Sequence, residues 1–171
     1  MTQVKTLLDD PNFLAFMVTA KQSMYASGGV AKAMQLSGGK LYTFSDERWP
    51  RWRYTDEWYG NNPFFGHELY FERADAYGPF AQIACMPYDG YCIGTDEEVL
   101  HVFAFLRNML PRVSTTSPFR GGLVREDGWQ YWSLWRRKNA FCVDGEEGIQ
   151  PLTTPMGQVM YQGSFQFCTL R

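Results

Sequence analysis

Two acidic residues set among aromatic side chains are the most chemically suggestive feature of this chain. Trp52, Tyr54, Asp56 and Trp58 alternate with Arg51, Arg53, Thr55 and Glu57. Period-two alternation puts the first set on one face of a strand and the charged set mostly on the other. Glu68, Tyr70 and Glu72 share a face of the next extended segment, and Gly60-Asn61-Asn62-Pro63 between the two reads as a turn. If the segments form a hairpin, both sets fall on the same face of a sheet. An aromatic face holding a few carboxylates suits a planar or cationic small molecule. Cation–π contacts contribute about 0.5–2 kcal/mol each, and a carboxylate adds charge selectivity. The candidate ligand-binding residues are therefore Tyr25, Trp52, Tyr54, Asp56, Trp58, Asn62, Glu68, Tyr70 and Arg120. Glu68 follows the apolar pair Phe64-Phe65. A carboxylate beside apolar surface needs a partner or has a raised pKa, and Lys21 and Arg120 are the candidate partners. The competing reading places the aromatics in the core and pairs the carboxylates with Arg51, Arg53 or Arg73.

An enzymatic reading uses Glu68 with Asp56 or Glu147 as general acid and base. Other chemistries find little in the sequence. Gly38-Gly39-Lys40-Leu41 lacks the spacing and the Ser/Thr of a phosphate loop, and no nucleophile elbow, zinc-protease or calcium-loop motif occurs. Only two histidines, His67 and His101, are present, without a motif for a catalytic triad. Neither a metal nor a cofactor is expected. Arg48, Arg51 and Arg53 interleave with Trp49 and Trp52, and Arg136-Arg137-Lys138 follow Trp135, as in surfaces that stack bases and hold phosphates. The balance of 16 basic against 18 acidic residues, net charge −2, argues against nucleic acid as the partner.

At 171 residues, 45% hydrophobic and 17% aromatic, the chain is expected to form one folded domain and is too apolar for a disordered one. No apolar run approaches the ~20 residues of a membrane span, and the first residues lack the apolar stretch of a secretory leader. The four cysteines, Cys85, Cys92, Cys142 and Cys168, match no zinc or redox spacing. Cys142 and Cys168 sit in apolar strand-like runs and read as small buried hydrophobes. A reduced, cytoplasmic protein is the expectation.

The elements that must position these residues follow from pattern and punctuation. A helix is predicted over 11–25, with Asp10 as N-cap, Pro11 in the first turn, and Phe13, Phe16, Met17, Ala20 and Met24 on one face. Gly28-Gly29 ends it, and 30–40 reads as a loop or lid. Strands follow over 51–58, 68–73 and 80–86, the last closed by Pro87-Tyr88-Asp89-Gly90. Thr95-Asp96-Glu97-Glu98 is a capping box opening a second helix that Pro111 closes. Residues 114–118 form a polar linker. Strands are expected over 129–137, covered on both sides because aromatics occupy both faces, and over 140–143, leading into an Asp144-Gly145 turn. After a loop at 153–157, a long C-terminal strand alternates Val159, Tyr161, Phe165 and Phe167 with Met160, Gln162, Ser164, Gln166 and Cys168.

The order helix, strands, helix, strands repeats. Trp52-Arg53-Tyr54 and Gly66-His67-Glu68 in the first half echo Trp129-Gln130-Tyr131 and Gly145-Glu146-Glu147 in the second. Chance and common turn glycines are one account. The other is a duplicated unit, 11–90 and 95–171, with a cleft between halves facing Glu68 and Glu147. Either way the fold class is α+β, a mostly antiparallel, curved sheet with two main helices.

Ala20-Lys21-Gln22-Ser23-Met24-Tyr25-Ala26 and the run from Tyr54 to Glu68, including Asn62-Pro63-Phe64-x-Gly66-x-Glu68, form a distinctive constellation. It resembles the bacterial domain-of-unknown-function 5680 family. Phe119-Arg120-Gly121-Gly122 resembles a later Phe-Arg-Gly-Pro of that family, with Gly122 departing from it, and Ile83 through Tyr88 matches only in part. The resemblance implies no assigned activity; some members look fused to a helix-turn-helix domain, for which this chain has no room, and that fusion would imply a sensing or regulatory role. The leading expectation is a cytoplasmic, non-enzymatic domain binding an unidentified small molecule in an aromatic, acidic cleft. The alternatives are a hydrolase-type enzyme with paired carboxylates and a protein-interaction module. A homodimer is a further expectation, since an aromatic sheet face needs cover.

Overall fold

The computed structural model describes residues 6–26, 32–33, 38–153 and 158–170. A short 3-10 turn, Leu7–Asp9, leads into α1, Pro11–Ala26. Strands β1 (Lys32–Ala33), β2 (Lys40–Phe44), β3 (Trp52–Gly60), β4 (Phe64–Glu72) and β5 (Ala81–Cys92) follow. Next come α2 (Asp96–Met109), a 3-10 turn Leu110–Arg112, and strands β6 (Val124–Glu126), β7 (Trp129–Arg137), β8 (Cys142–Pro151) and β9 (Tyr161–Thr169). All described strands join one antiparallel sheet in the order β1-β2-β3-β4-β5-β9-β8-β7-β6. Two meanders thus meet where β5 pairs with β9. The fold is α+β, as the punctuation implied, and among the described residues no helix is long and apolar enough to cross a membrane.

Both helices lie on one face of the sheet. Phe13, Phe16, Met17, Ala20 and Met24 of α1 pack on Phe44, Trp52, Tyr54, Tyr70, Ile83 and Phe167. Val102, Phe105, Leu106 and Met109 of α2 pack on Tyr131, Ile149, Met160 and Tyr161. Asp10 caps α1 by accepting from the Asn12 N–H at 2.9 Å. Thr95 caps α2, and the Glu98 carboxylate returns to the Thr95 N–H at 2.7 Å. Thr95→Ala is expected to lower stability by about 1 kcal/mol, the usual worth of an N-cap, read as a lower urea midpoint with an unchanged slope.

Three strand expectations are corrected. Strand β5 continues through Pro87, Tyr88, Asp89 and Gly90 rather than ending there. Pro87 has no N–H to donate, and the β5–β9 ladder skips it, resuming at Tyr88 opposite Phe165. Strand β8 likewise runs through Asp144-Gly145. There the Phe165 ring fills the space a Cβ of Gly145 would take, so the glycine marks a close approach within a strand, not a turn. Strand β7 is covered on one face only and lies next to the edge strand β6. Its outward Trp132 lies over Gly148 of the neighbouring strand, which accounts for an aromatic there, and Leu134 is exposed.

The segment read as a loop over 30–40 is described only in part. Lys32–Ala33 forms β1, and Lys40 starts β2; residues 30–31 and 34–37 lie outside the described residues, as do Gly28-Gly29 and 154–157. The cysteine expectation is overturned as well. Cys142 and Cys168 face each other on β8 and β9 with Cα atoms 4.3 Å apart and are joined as a disulfide. They lie on the face away from the helices, since their neighbours Val143 and Phe167 fill the core.

Candidate functional site

The hairpin of β3 and β4 sets Asp56 directly opposite Glu68 and Tyr54 opposite Tyr70. All four side chains face the helices, where α1 covers them. Asp56 and Glu68 are 2% and 0% exposed. The expected open cleft is therefore corrected: Trp52, Tyr54, Asp56, Glu68, Tyr70 and Arg120 are buried, with Trp52 packed edge-on to Phe13 at 5.7 Å. The physical reason is the helix-covered face, which turns a pattern of aromatics into core.

The expected partners of Glu68 are present. Its carboxylate accepts from Lys21 Nζ at 2.8 Å, from Arg120 at 2.9 Å and from the Tyr70 hydroxyl at 2.6 Å. Lys21 is on the buried side of α1, and its ammonium also donates to the Phe119 carbonyl at 2.8 Å. Gln22 holds the same linker by donating to the Val113 carbonyl at 3.0 Å, and the Ser117 hydroxyl donates to the Arg120 carbonyl at 2.8 Å. These bonds thread the linker between α2 and β6 under α1 and put Arg120 over the seam of the two meanders. From there its guanidinium reaches Glu147 of β8 at 3.3 Å while lying over the rings of Tyr88 and Phe165. Glu147 also accepts from the hydroxyls of Tyr131 at 2.7 Å and Tyr161 at 2.9 Å.

Lys21, Arg120, Glu68 and Glu147 make two buried cations and two buried anions, and Asp56 is the fifth ionisable group. Burial, then the negative charge of Glu68, pushes the Asp56 carboxyl up to about 7, against the hydrogen bond from Tyr88 and the nearby cations. Burial also acts to raise Glu68, but Lys21 and Arg120 outweigh it and hold the carboxyl below its usual range. Burial pulls Lys21 down to about 8, opposed chiefly by Glu68. Tyr161 is held well above the ordinary phenol value by burial and by the charge on Glu147.

Asp56 is linked to the surface by Tyr88, which is half-buried and donates its hydroxyl to the carboxylate at 2.8 Å. Register aligns Trp58, Gly66, Tyr88, Phe165, Gly145 and Trp135 in one row across five neighbouring ladders on the helix side. Both tryptophans are partly exposed, Trp135 at 41%. Trp58 carries the Lys40 ammonium 5.9 Å from its ring centre. The row is aromatic because two glycines leave room for the rings beside them: a Cβ on Gly66 would meet the Tyr88 hydroxyl at 2.5 Å.

The other candidates are placed elsewhere. Asn62 is exposed in the β3–β4 turn, where its side chain exchanges hydrogen bonds with the backbone of Cys92 and ties the turn to the end of β5. Tyr25 is on α1, its side chain outside the described part. Most of the basic residues that suggested nucleic acid have partners within the chain: Arg48 pairs with Asp46 at 2.6 Å, Arg51 with Glu72 at 2.9 Å, Arg137 with Asp9 at 3.4 Å and Lys138 with Asp144 at 2.6 Å, and Arg53 lies over Phe71 and Phe80, while Arg136 is exposed. An open groove of about 820 Å³ lies mainly on the opposite face of the sheet, among Phe65, Asp89, Leu134, Arg136 and Gln166. Sequence reasoning missed Tyr88, Tyr131 and Tyr161 as members of the cluster. Tyr131 was within reach, as the counterpart of Tyr54 in the repeated Trp-x-Tyr.

Among the described residues no group of His, Cys, Asp and Glu is arranged to hold a metal ion. The chain matches no protein-family model, no curated protein and no solved structure.

Proposed function

We propose that this is a ligand-binding domain, of a sensor or regulatory kind, whose ligand is a planar cation lying on the aromatic row. The observation that carries the proposal is the Tyr88–Asp56 pair. A half-buried phenol at the row is bonded to a buried carboxyl whose pKa stands near neutrality. Arg120 already lies over the Tyr88 ring, so the ligand cation would stack on the partly exposed Trp58 beside the Tyr88 hydroxyl, where it would favour the ionised form of Asp56.

The arrangement is consistent with two related half-units, and we infer that 11–90 and 95–171 share an origin. Trp58 faces Gly66 as Trp135 faces Gly145, and Asp56 faces Glu68 as Ser133 faces Glu147. On that reading the ligand row crosses the seam of the halves, and Asp56 is the acidic position that Ser133 replaces.

A thermal-shift and calorimetric screen of planar aromatic cations and their neutral isosteres is the test. The cation is expected to raise the melting temperature and the isostere is not, with affinity falling at least tenfold in Asp56→Asn. A ligand bound equally by wild type, Asp56→Asn and Trp58→Ala overturns the assignment. One observation favours the paired-carboxylate enzyme: Asp56 and Glu68 are adjacent with pKa values pushed in opposite directions, the pattern of an acid and a base. Turnover of any substrate that Glu68→Gln abolishes in a folded protein would establish that reading instead.

A further inference from the structure

The register of β5, β9 and β8 sets three cysteines side by side. Cys85 pairs with Cys168 in one ladder, and Cys168 pairs with Cys142 in the next. Ala84, Phe167 and Val143, one residue away on each strand, fill the core, so the three sulfurs share the outer face. Cys142 and Cys168 are bonded to each other, and Cys85 is a free, half-buried thiol.

The two pairings differ in kind. The Thr169 N–H donates to the Phe141 carbonyl, and the Leu170 N–H donates to the Ile83 carbonyl. The main-chain groups of Cys168 therefore point toward β5. Cys168 makes a narrow, non-hydrogen-bonded pair with Cys142 and a wide, hydrogen-bonded pair with Cys85. Such pairs have Cα separations of about 4.5 and 5.5 Å, and disulfides span about 4.4–6.8 Å. Cys168 is thus within bonding reach of a cysteine on either side. Neighbouring strands stack along one line, so Cys85 approaches the Cys168 sulfur from the side opposite Cys142, the direction that displacement at sulfur requires.

We propose that Cys85, Cys168 and Cys142 form an intramolecular disulfide-exchange site with Cys168 as the shared sulfur. The Cys85 thiolate attacks Cys168 Sγ, and the Cys85–Cys168 bond forms as the Cys168–Cys142 bond breaks. Cys142 leaves as a thiolate and takes up the proton that Cys85 released. One disulfide and one thiol stand on each side, so no outside oxidant or reductant enters. Exchange moves the staple from β8–β9 to β5–β9, the seam between the meanders, and moves the free thiol to the start of β8 beside the exposed Lys138-Asn139-Ala140 turn. Burial pushes the Cys85 thiol up, which keeps its thiolate scarce and the exchange slow.

The test is peptide mapping of the full chain under non-reducing conditions after blocking with N-ethylmaleimide. Wild type held with a trace of thiol is expected to yield two linkages, Cys142–Cys168 and Cys85–Cys168, with the complementary cysteine alkylated in each. Cys142→Ser oxidised with glutathione disulfide is expected to form Cys85–Cys168, and Cys85→Ser only Cys142–Cys168. Wild type showing a single linkage, or Cys142→Ser carrying Cys85 and Cys168 as separate alkylated or glutathionylated residues, overturns the proposal. The wild-type measurement stands even if a variant fails to fold.

Discussion

Glu68→Ala is expected to destabilise the domain by about 3–5 kcal/mol, the usual effect of stripping one partner from a buried ion pair. Two cations lose their shared anion, because Lys21 and Arg120 both bond to Glu68 and are themselves buried. For a chain of this length each kcal/mol shifts the melting temperature by about 2–4 °C, so the loss is large in a calorimetric scan. A second variant separates charge from packing. Glu68→Gln with Lys21→Met removes both members of the closest pair while keeping volume, and is expected to recover at least half the loss. If the double variant is as unstable as the sum of its parts, Glu68 acts through packing or through Tyr70, not through the ammonium.

The second large effect is a fall in stability as the pH rises from about 4 to about 7. An unfolded aspartate releases its proton near 3.9, whereas folded Asp56 holds it up to about 7. Between those values the native state binds more protons than the unfolded state, so raising the pH favours unfolding. The contribution of Asp56 is full below about pH 4 and is lost as the pH climbs to about 7. It amounts to a few kcal/mol at most, on the order of 1.4 kcal/mol per pH unit of the window. Glu68 acts with the opposite sign in a lower window: its depressed pKa adds stability that is lost as the pH falls through that lowered value. Lys21 first titrates near 8, above the range to be scanned. Urea unfolding between pH 5 and 7.5 is expected to show wild type weakening while Asp56→Asn, which carries no ionisable group, stays level. The stability difference between the two is then expected to move in favour of the variant as the pH rises. A wild-type curve as flat as that of the variant would place the Asp56 proton elsewhere.

Local features were the legible ones. Asp10-Pro11 and the Thr95–Glu98 box located both helix starts because caps satisfy backbone groups with neighbouring side chains, an interaction written within a few residues. The expectation that Glu68 needs a cation is met by Lys21 and Arg120, but its burial comes from α1 and not from Phe64-Phe65, since Phe65 is 60% exposed. The cover over that site was not legible. Alternation says which residues share a face but not which face a helix will land on, and so a buried cluster read as a cleft. Gly145 and Pro87 differ from their sequence expectation for a related reason. A glycine under a cross-strand ring and a proline at a ladder gap look in sequence like turn residues, and only the partner strand tells them apart. The disulfide depends on the same distant information, since 26 positions separate Cys142 from Cys168 and only register makes them neighbours.

The meeting of β5 with β9 also sets an order of events during synthesis. Strand β5 is central in the finished sheet, yet β9 begins roughly 70 residues after β5 ends, an interval of roughly 4–14 s at common elongation rates. Until β9 arrives, β5 is an open edge carrying unpaired backbone groups and the free Cys85. Pro87 lies midway along that edge and offers no N–H to a passing strand. The residue that looked like a strand terminator thus acts as a guard on a nascent edge, keeping β5 from pairing with a stranger before its own partner is made.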